Sequence, residues 1–112
     1  MPAAKQIVVY WRDIPSQVIV KQRRTSGKAM LSERFQVAID RAAMRAGKGG
    51  SDAYIAEWRR VSEAYSGDED FQHVAQRKAD ELELEYSDSR LAALVKNNGN
   101  SEDKPKDASV ND

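Results

Sequence analysis

The sequence contains no cysteine, only three prolines and a single histidine. Without cysteine there is no disulfide, no thiolate nucleophile and no thiolate metal site. One imidazole does not make a metal cage, so His73 is expected to be solvated or to lie near a helix cap. No apolar run approaches the roughly 18 residues that a membrane span needs, and the N-terminal residues lack the apolar region of a signal peptide. We therefore expect a cytoplasmic protein without metal, cofactor or membrane association.

Recognisable arrangements of catalytic side chains are also missing. The carboxylates of Glu81, Glu83 and Glu85 alternate along a predicted helix, so they diverge, whereas acid–base catalysis uses two carboxyl groups held together in different environments. The serines lie in predicted loops or caps, and none stands in a GxSxG elbow. Residues 25–28 (TSGK) lack the first glycine and the residue order of a phosphate-binding loop. The sequence predicts a non-enzymatic protein with no catalytic residue.

Charge is balanced over the whole chain but not along it. The 112 residues carry 18 Lys and Arg and 18 Asp and Glu. Residues 1–48 hold ten basic and three acidic residues, whereas residues 49–112 hold eight basic and fifteen acidic ones. Two interpretations are open: the halves attract each other within the fold, or a basic and an acidic surface stay exposed to partners. A net charge of zero disfavours a general nucleic-acid binder, for which a strongly basic domain is expected.

The pattern of apolar residues predicts an α+β fold that begins with a β-hairpin. Residues 5–12 and 17–23 are rich in β-branched and aromatic side chains and flank a connection that contains Pro15. Both faces of the first strand are partly apolar. Because an isolated hairpin is marginally stable, we expect helices on one face and a third strand or a partner on the other. Residues 25–28 are predicted to form a loop.

Three helices are predicted after the hairpin, which gives the order ββααα. Ser32 caps the first, whose apolar residues recur at helical spacing over 33–46 before a run of glycines. The second covers about 51–66, with Tyr54, Trp58, Val61 and Tyr65 on its apolar face. The third covers about 69–96 and either breaks at Ser87 or is continuous. Residues 1–97 then form a single domain, and residues 98–112, which lack apolar periodicity, are predicted to be a disordered tail.

Two segments are candidate binding sites for a partner. The first, YWRDIP, combines the residue types that are enriched at interface hot spots, although it is equally compatible with a buried Trp beside a local ion pair. The second is a basic cluster after the second strand, which either binds phosphate or acidic protein or protects an edge strand from aggregation. The candidate partner-binding residues are Tyr10, Trp11, Arg12, Asp13 and Pro15 in the first segment and Lys21, Arg23, Arg24 and Lys28 in the second.

The stretches IVVYWRDIPSQVIVK, LSERFQVAIDRAAMRAG and DAYIAEWRR resemble a small family known as the virulence factor domain. The resemblance covers residues 5–97. A similar domain is joined to a NifU-like iron–sulfur scaffold domain in conserved virulence factor C. The resemblance puts the family signature on residues 10–15 and on Asp40, Arg41, Met44, Arg45, Trp58 and Arg59. Stand-alone members are similar to alphaproteobacterial proteins encoded near folate- and corrinoid-dependent one-carbon enzymes, which implies an accessory subunit of such a complex.

Two functions follow from these features. The leading hypothesis is a non-enzymatic adaptor or accessory protein that binds a protein partner with the hairpin and the first helix. In that case Arg12 and Asp13 are expected to be at least partly exposed beside the hairpin turn. The alternative is a small nucleic-acid-binding domain that uses the basic cluster between Lys21 and Lys28, with Tyr10 exposed as a stacking side chain. Electrostatic binding of nucleic acid weakens steeply with salt.

Overall fold

The computed structural model describes residues 4–101 and has the predicted α+β fold. Within that range, four strands form one sheet and four helices accompany it, in the order βββααβαα rather than ββααα. The elements are β1 (Ala4–Trp11), β2 (Ile14–Gln22), β3 (Thr25–Met30), α1 (Glu33–Arg45), α2 (Ser51–Ala56), β4 (Trp58–Tyr65), α3 (Phe71–Glu85) and α4 (Asp88–Lys96). The α+β class is confirmed, and the number and order of the elements are corrected.

The sheet is antiparallel throughout, with the strand order β3-β2-β1-β4. The predicted hairpin of β1 and β2 is confirmed and forms the centre of the sheet. Its register shifts between Val9 and Tyr10, because Val9 pairs with Gln17 whereas Tyr10 pairs with Pro15. Ser16 is therefore an extra residue on β2. Such a bulge bends its strand and re-aims the side chains beyond it, here at the turn end of the hairpin.

The loop predicted at residues 25–28 is instead the first part of β3. This segment has weak intrinsic strand propensity, but its backbone pairs with β2, and Gly27 lies opposite Val20. Gly27 allows α3 to approach closely, since a Cβ atom there would lie 2.3 Å from the backbone nitrogen of Gln72. Tertiary packing thus overrides local propensity at this strand.

The second predicted helix is also corrected, because α2 ends at Ala56 and residues 58–65 form β4. Helical spacing from Tyr54 to Tyr65 suggested a longer helix. In the structure, Trp58 packs edge-on against Tyr54 at 5.8 Å between ring centroids, and Tyr65 packs against Phe71 at 6.3 Å. The aromatic residues therefore hold the two ends of a strand. Each residue of this segment has a pairing partner on β1, from Ala4 opposite Tyr65 to Trp11 opposite Trp58.

The helices α1, α3 and α4 build a layer that closes the main core. The helix α3 lies across β2 and β3, and α1 packs on α4. Of the two alternatives left open at Ser87, a break or a continuous helix, the structure has the break: the Ser87 hydroxyl accepts a hydrogen bond from the backbone nitrogen of Arg90 at 3.1 Å and caps α4. The largest core side chains with less than 2% exposure are those of Trp11, Phe35, Ile14, Ile39, Val18, Val20 and Pro15.

Candidate functional site

Trp11, the central aromatic residue of YWRDIP, lies in the core. Its side chain has no exposed surface. The indole nitrogen donates to the carbonyl oxygen of Tyr54 at 2.9 Å, and the two rings stack at 5.9 Å between centroids. Gly99 lies against the other side of the ring, where a Cβ atom would come within 3.0 Å of it. Trp11 therefore joins the hairpin, α2 and the segment after α4.

Arg12 follows in the left-handed region, with a φ of 54°. Its backbone nitrogen donates to the carbonyl oxygen of Glu57 at 3.1 Å. Its guanidinium donates from Nε to the Glu57 carboxylate at 3.1 Å and from Nη1 to the carbonyl oxygen of Asn98 at 2.9 Å. Only 15% of the side chain is exposed. These bonds hold a conformation that costs a non-glycine residue about 1–2 kcal/mol.

Asp13 completes the turn and is also mostly enclosed, with 12% of its side chain exposed. Its Oδ1 accepts from Nη2 of Arg59 at 2.9 Å, and its Oδ2 accepts from the backbone nitrogen of Ser101 at 2.7 Å. Its own backbone nitrogen donates to the carbonyl oxygen of Gly99 at 2.9 Å. We call Arg12, Asp13, Glu57, Arg59 and residues 98–101 the hairpin junction.

The hairpin junction includes the first four residues of the predicted disordered tail. Gly99 is buried, and residues 100 and 101 are partly buried. Residues 98–101 are therefore packed against the turn and belong to the domain, while residues 102–112 of the predicted tail lie outside the described residues. The domain extends past residue 97 because glycine at 99, with a φ of 91°, directs the chain over Trp11.

The remaining members of YWRDIP also face the protein. Tyr10 is half-buried beneath the guanidinium of Arg59, whose carbon lies 4.6 Å from the ring centroid. Burial raises the pKa of Tyr10, against the opposing influence of Arg59. Pro15 is buried. Partner binding through YWRDIP stays a prediction, but Trp11 and Pro15 have no surface to offer, and Arg12 and Asp13 have little.

The basic cluster has the opposite character. The hairpin of β2 and β3 brings its four residues together, with Arg23 at a φ of 55° in the turn. All four side chains are exposed, and none forms an ion pair with a residue in 4–101. The members are Lys21, Arg23, Arg24 and Lys28.

Two further cations share a face of the sheet with this cluster. Cross-strand partners point to the same face, and Lys5 pairs with Lys21 while Arg60 pairs with Val9. We call the face turned away from α3 the far face. Its strand positions are Lys5, Ile7, Val9, Gln17, Ile19, Lys21, Ser26, Lys28, Met30, Arg60, Ser62 and Ala64.

The far face is positively charged. Lys5, Lys21, Lys28 and Arg60 are exposed there, and no strand position on it carries a carboxylate. Sequence reasoning missed Lys5 because it stands alone in the sequence, and it missed Arg60 because β4 was taken for a helix. The signal available for Lys5 was the alternation of side chains along β1, which starts at Lys5 and puts every second residue on the same face. The acidic residue of β4, Glu63, pairs with Gln6 and therefore points to the other face.

A groove of about 420 Å³ lies between α1 and α4. Val37, Leu91 and Val95 form apolar parts of its lining, while Arg41 and Asp88 supply charge. It is away from both the hairpin junction and the far face. Nothing in its geometry brings catalytic groups together.

The described part of the chain contains neither a group of side chains arranged to bind a metal ion nor a helix that could cross a membrane. Residues 4–101 hold no group of three or more His, Cys, Asp or Glu side chains arranged to bind a metal ion. The lone His73 is exposed, and its backbone nitrogen donates to the capping Asp70 at 3.2 Å. In the same range, every helix is too short or too polar to cross a membrane.

Comparison with known proteins identifies one family. The family model described as "Virulence factor" matches residues 9–95, which is most of the chain and includes the hairpin junction up to Arg59. The resemblance noted in the sequence is thereby confirmed. No curated protein and no solved structure gives a significant match.

Proposed function

The chain belongs to the virulence factor family, and we propose that it is a cytoplasmic, non-enzymatic accessory protein that binds an acidic surface of a protein partner through its far face. The observation that carries this proposal is the set of four exposed cations on one sheet face that has no carboxylate. The family name describes a phenotype, so it supplies neither a reaction nor a partner.

Charge on the far face supports binding because no acidic side chain among residues 4–101 pairs with it. Elsewhere, basic side chains are largely neutralised by neighbours, as Arg34 is by Glu83 and Asp88, and Arg77 by Glu69. The cations of the far face form no such pair with the described residues. Complementary charge on a partner would speed association and fix its orientation. Ile19 and Met30 add partly apolar surface between the cations.

An acidic protein fits this face better than single-stranded nucleic acid. Binding of single strands draws on aromatic side chains on which bases stack. Tyr10, the side chain expected to do this, points to the α3 side and lies beneath Arg59. None of the twelve far-face strand positions named above carries an aromatic residue.

The hairpin junction has a supporting role in this proposal. It fixes the ends of β1, β2 and β4 to each other and to residues 98–101. These contacts stabilise the arrangement of the strands that carry the far-face cations. The candidate partners are the folate- and corrinoid-dependent one-carbon enzymes that the family resemblance implies. A test of these candidate partners assumes only that the partner has an acidic docking surface.

The experiment compares three forms of the full chain as bait in extracts of the native cell. The wild type is expected to retain a partner, and the double variant Lys21→Glu, Lys28→Glu is expected to lose it. The matched control is Arg41→Glu, which reverses an exposed cation on α1, away from the far face. The control should retain the partner. Equal capture by all three forms would contradict the proposal.

Nuclease treatment of the same extracts separates the alternative function. A protein partner that survives nuclease is expected. If capture disappears with nuclease, and if the purified chain binds a single-stranded oligonucleotide with an affinity that falls steeply with salt, the far face binds nucleic acid instead.

A further inference from the structure

The strand β4 is exposed along almost its whole length. It lies at one edge of the sheet, and among the strands of residues 4–101 it pairs only with β1. The six residues from Arg59 to Ala64 are all exposed, on both faces of the strand. Val61, at the centre, is 40% exposed. A strand held by a single ladder and little packing presents a row of backbone groups ready for pairing with another strand.

The opposite edge of the sheet is closed. In β3, the backbone nitrogen of Lys28 donates to Oε1 of Gln72 at 3.0 Å, and its carbonyl oxygen accepts from Nε2 of the same side chain at 2.7 Å. The amide of Gln72 thus occupies the place that the backbone of another strand would take. Among residues 4–101, no side chain or backbone group makes a comparable bond to the outer edge of β4. Any strand addition is therefore directed to β4.

We infer that a second copy of this chain pairs with β4, antiparallel and about a two-fold axis at Val61, to give a continuous eight-stranded sheet. The charges of β4 point to this occupant. With Val61 opposite Val61 of the second copy, Arg59 of each chain lies opposite Glu63 of the other, on the same face as the two valines. Opposite charges at facing positions stabilise a strand pair.

Other registers are less favourable. In an antiparallel sheet that continues across a two-fold axis, the central residue faces itself. An axis at Arg60 would oppose two guanidinium groups, and one at Glu63 would oppose two carboxylates, which is destabilising. An axis at Ser62 would put Val61 opposite a glutamate. Only the register centred on Val61 pairs apolar with apolar and basic with acidic.

The two charged positions are able to form the new pairs. Glu63 has no ion-pair partner in the described chain. Arg59 uses Nε for the carbonyl oxygen of Arg12 and Nη2 for Asp13, which leaves Nη1 for the partner's glutamate. Pairing of two eight-residue strands buries little area, so the dimer should be weak and dependent on concentration.

The absence of cysteine allows a direct test. In the Val61→Cys variant the two thiols face each other across the axis, within reach of a disulfide. The control is Met30→Cys, which puts a thiol at an exposed position on the closed edge. Under mild oxidation, Val61→Cys should form covalent dimer at least about tenfold faster than Met30→Cys, because association holds its thiols at an effective concentration of roughly millimolar.

Sedimentation of the cysteine-free chain supplies the second arm. From about 10 µM to about 1 mM, the wild type should shift from monomer to dimer, and both Val61→Lys and Glu63→Arg should stay monomeric. Circular dichroism verifies that the variants are folded.

Three results would overturn the inference: a wild-type monomer throughout with equal cross-linking rates, a dimer that survives Val61→Lys, or a monomer whose β4 amides are protected from hydrogen exchange by another segment of the same chain. Val61 and Glu63 point to the opposite face from the four far-face cations, and the variants leave those cations in place, so either proposal can fail alone.

Discussion

Asp13 and Arg59 form an ion pair of 2.9 Å that ties the turn of the first hairpin to the second residue of β4. The same guanidinium donates from Nε to the carbonyl oxygen of Arg12 at 2.8 Å and covers the ring of Tyr10. The pair therefore connects segments 46 residues apart in the sequence. It explains why an acidic residue is enclosed at a position where turns are usually solvated.

Replacing Asp13 by Ala should lower the free energy of unfolding by about 2–4 kcal/mol, because it removes acceptors from Arg59 and from the backbone of Ser101 in a mostly buried setting. Asp13→Asn keeps one acceptor and should cost less. Denaturant unfolding of the three proteins measures both effects. A loss for Asp13→Ala of less than about 0.5 kcal/mol, the range of ordinary surface substitutions, would show that the junction does not stabilise the fold.

Arg12→Ala distinguishes a structural arginine from one that binds a partner. Because Arg12 bonds to Glu57 and Asn98 inside the protein, we expect it to lower stability by about 1–3 kcal/mol while partner capture by the folded protein is retained. The measurement pairs chemical denaturation with capture at a temperature where the variant is fully folded. Lost capture with unchanged stability would restore YWRDIP as the binding surface.

Truncation tests where the domain ends. A chain that stops after residue 97 loses two hydrogen bonds of Asp13, the one it donates to the Gly99 carbonyl oxygen and the one it accepts from the Ser101 backbone nitrogen. It also loses the contact of Gly99 with Trp11. Its melting temperature should fall by roughly 4–8 °C for each 1 kcal/mol lost. A chain that stops after residue 101 keeps these contacts and serves as the control. Equal melting temperatures for the two truncations would contradict the packing of residues 98–101.

The pH dependence of stability at high pH tests the burial of Tyr86. Burial raises the pKa of Tyr86 to about 12, with a further contribution from Tyr10. The folded protein then holds a proton that the unfolded chain releases near pH 10, so stability is full below about pH 10 and falls as the pH rises to about 12. The expected fall is on the order of 2 kcal/mol, and it should be smaller in Tyr86→Phe. Identical dependence of the unfolding free energy on pH in the wild type and in Tyr86→Phe would show that Tyr86 does not cause the fall.

Much of the fold was predictable from local patterns. The hairpin and α1 follow from β-branched runs and helical spacing, which act over a few residues. At Ser87 the sequence offered a capping serine but left a break and a continuous helix both open. The strands β3 and β4 were not predictable in this way, because long-range pairing forms them: β3 has little strand propensity, and β4 carries aromatic residues at helical spacing. The error over β4 also hid Arg60 on the far face.

The candidate site was also predictable from the sequence only in part. The basic cluster is contiguous in the sequence and was identified there. The roles within YWRDIP were open at that stage, because burial of Trp11 depends on Tyr54 and Gly99, which lie far along the chain. Lys5 joins the cluster only through the register of β1 and β2.

Hydrogen exchange of the backbone amides, measured for the chain alone and with its captured partner bound, tests the far-face proposal most directly. We expect added protection of the amides in β2 and β3 around Lys21 and Lys28, with no change in α1 and α4. Protection confined to the hairpin junction or to the groove between α1 and α4 would contradict it.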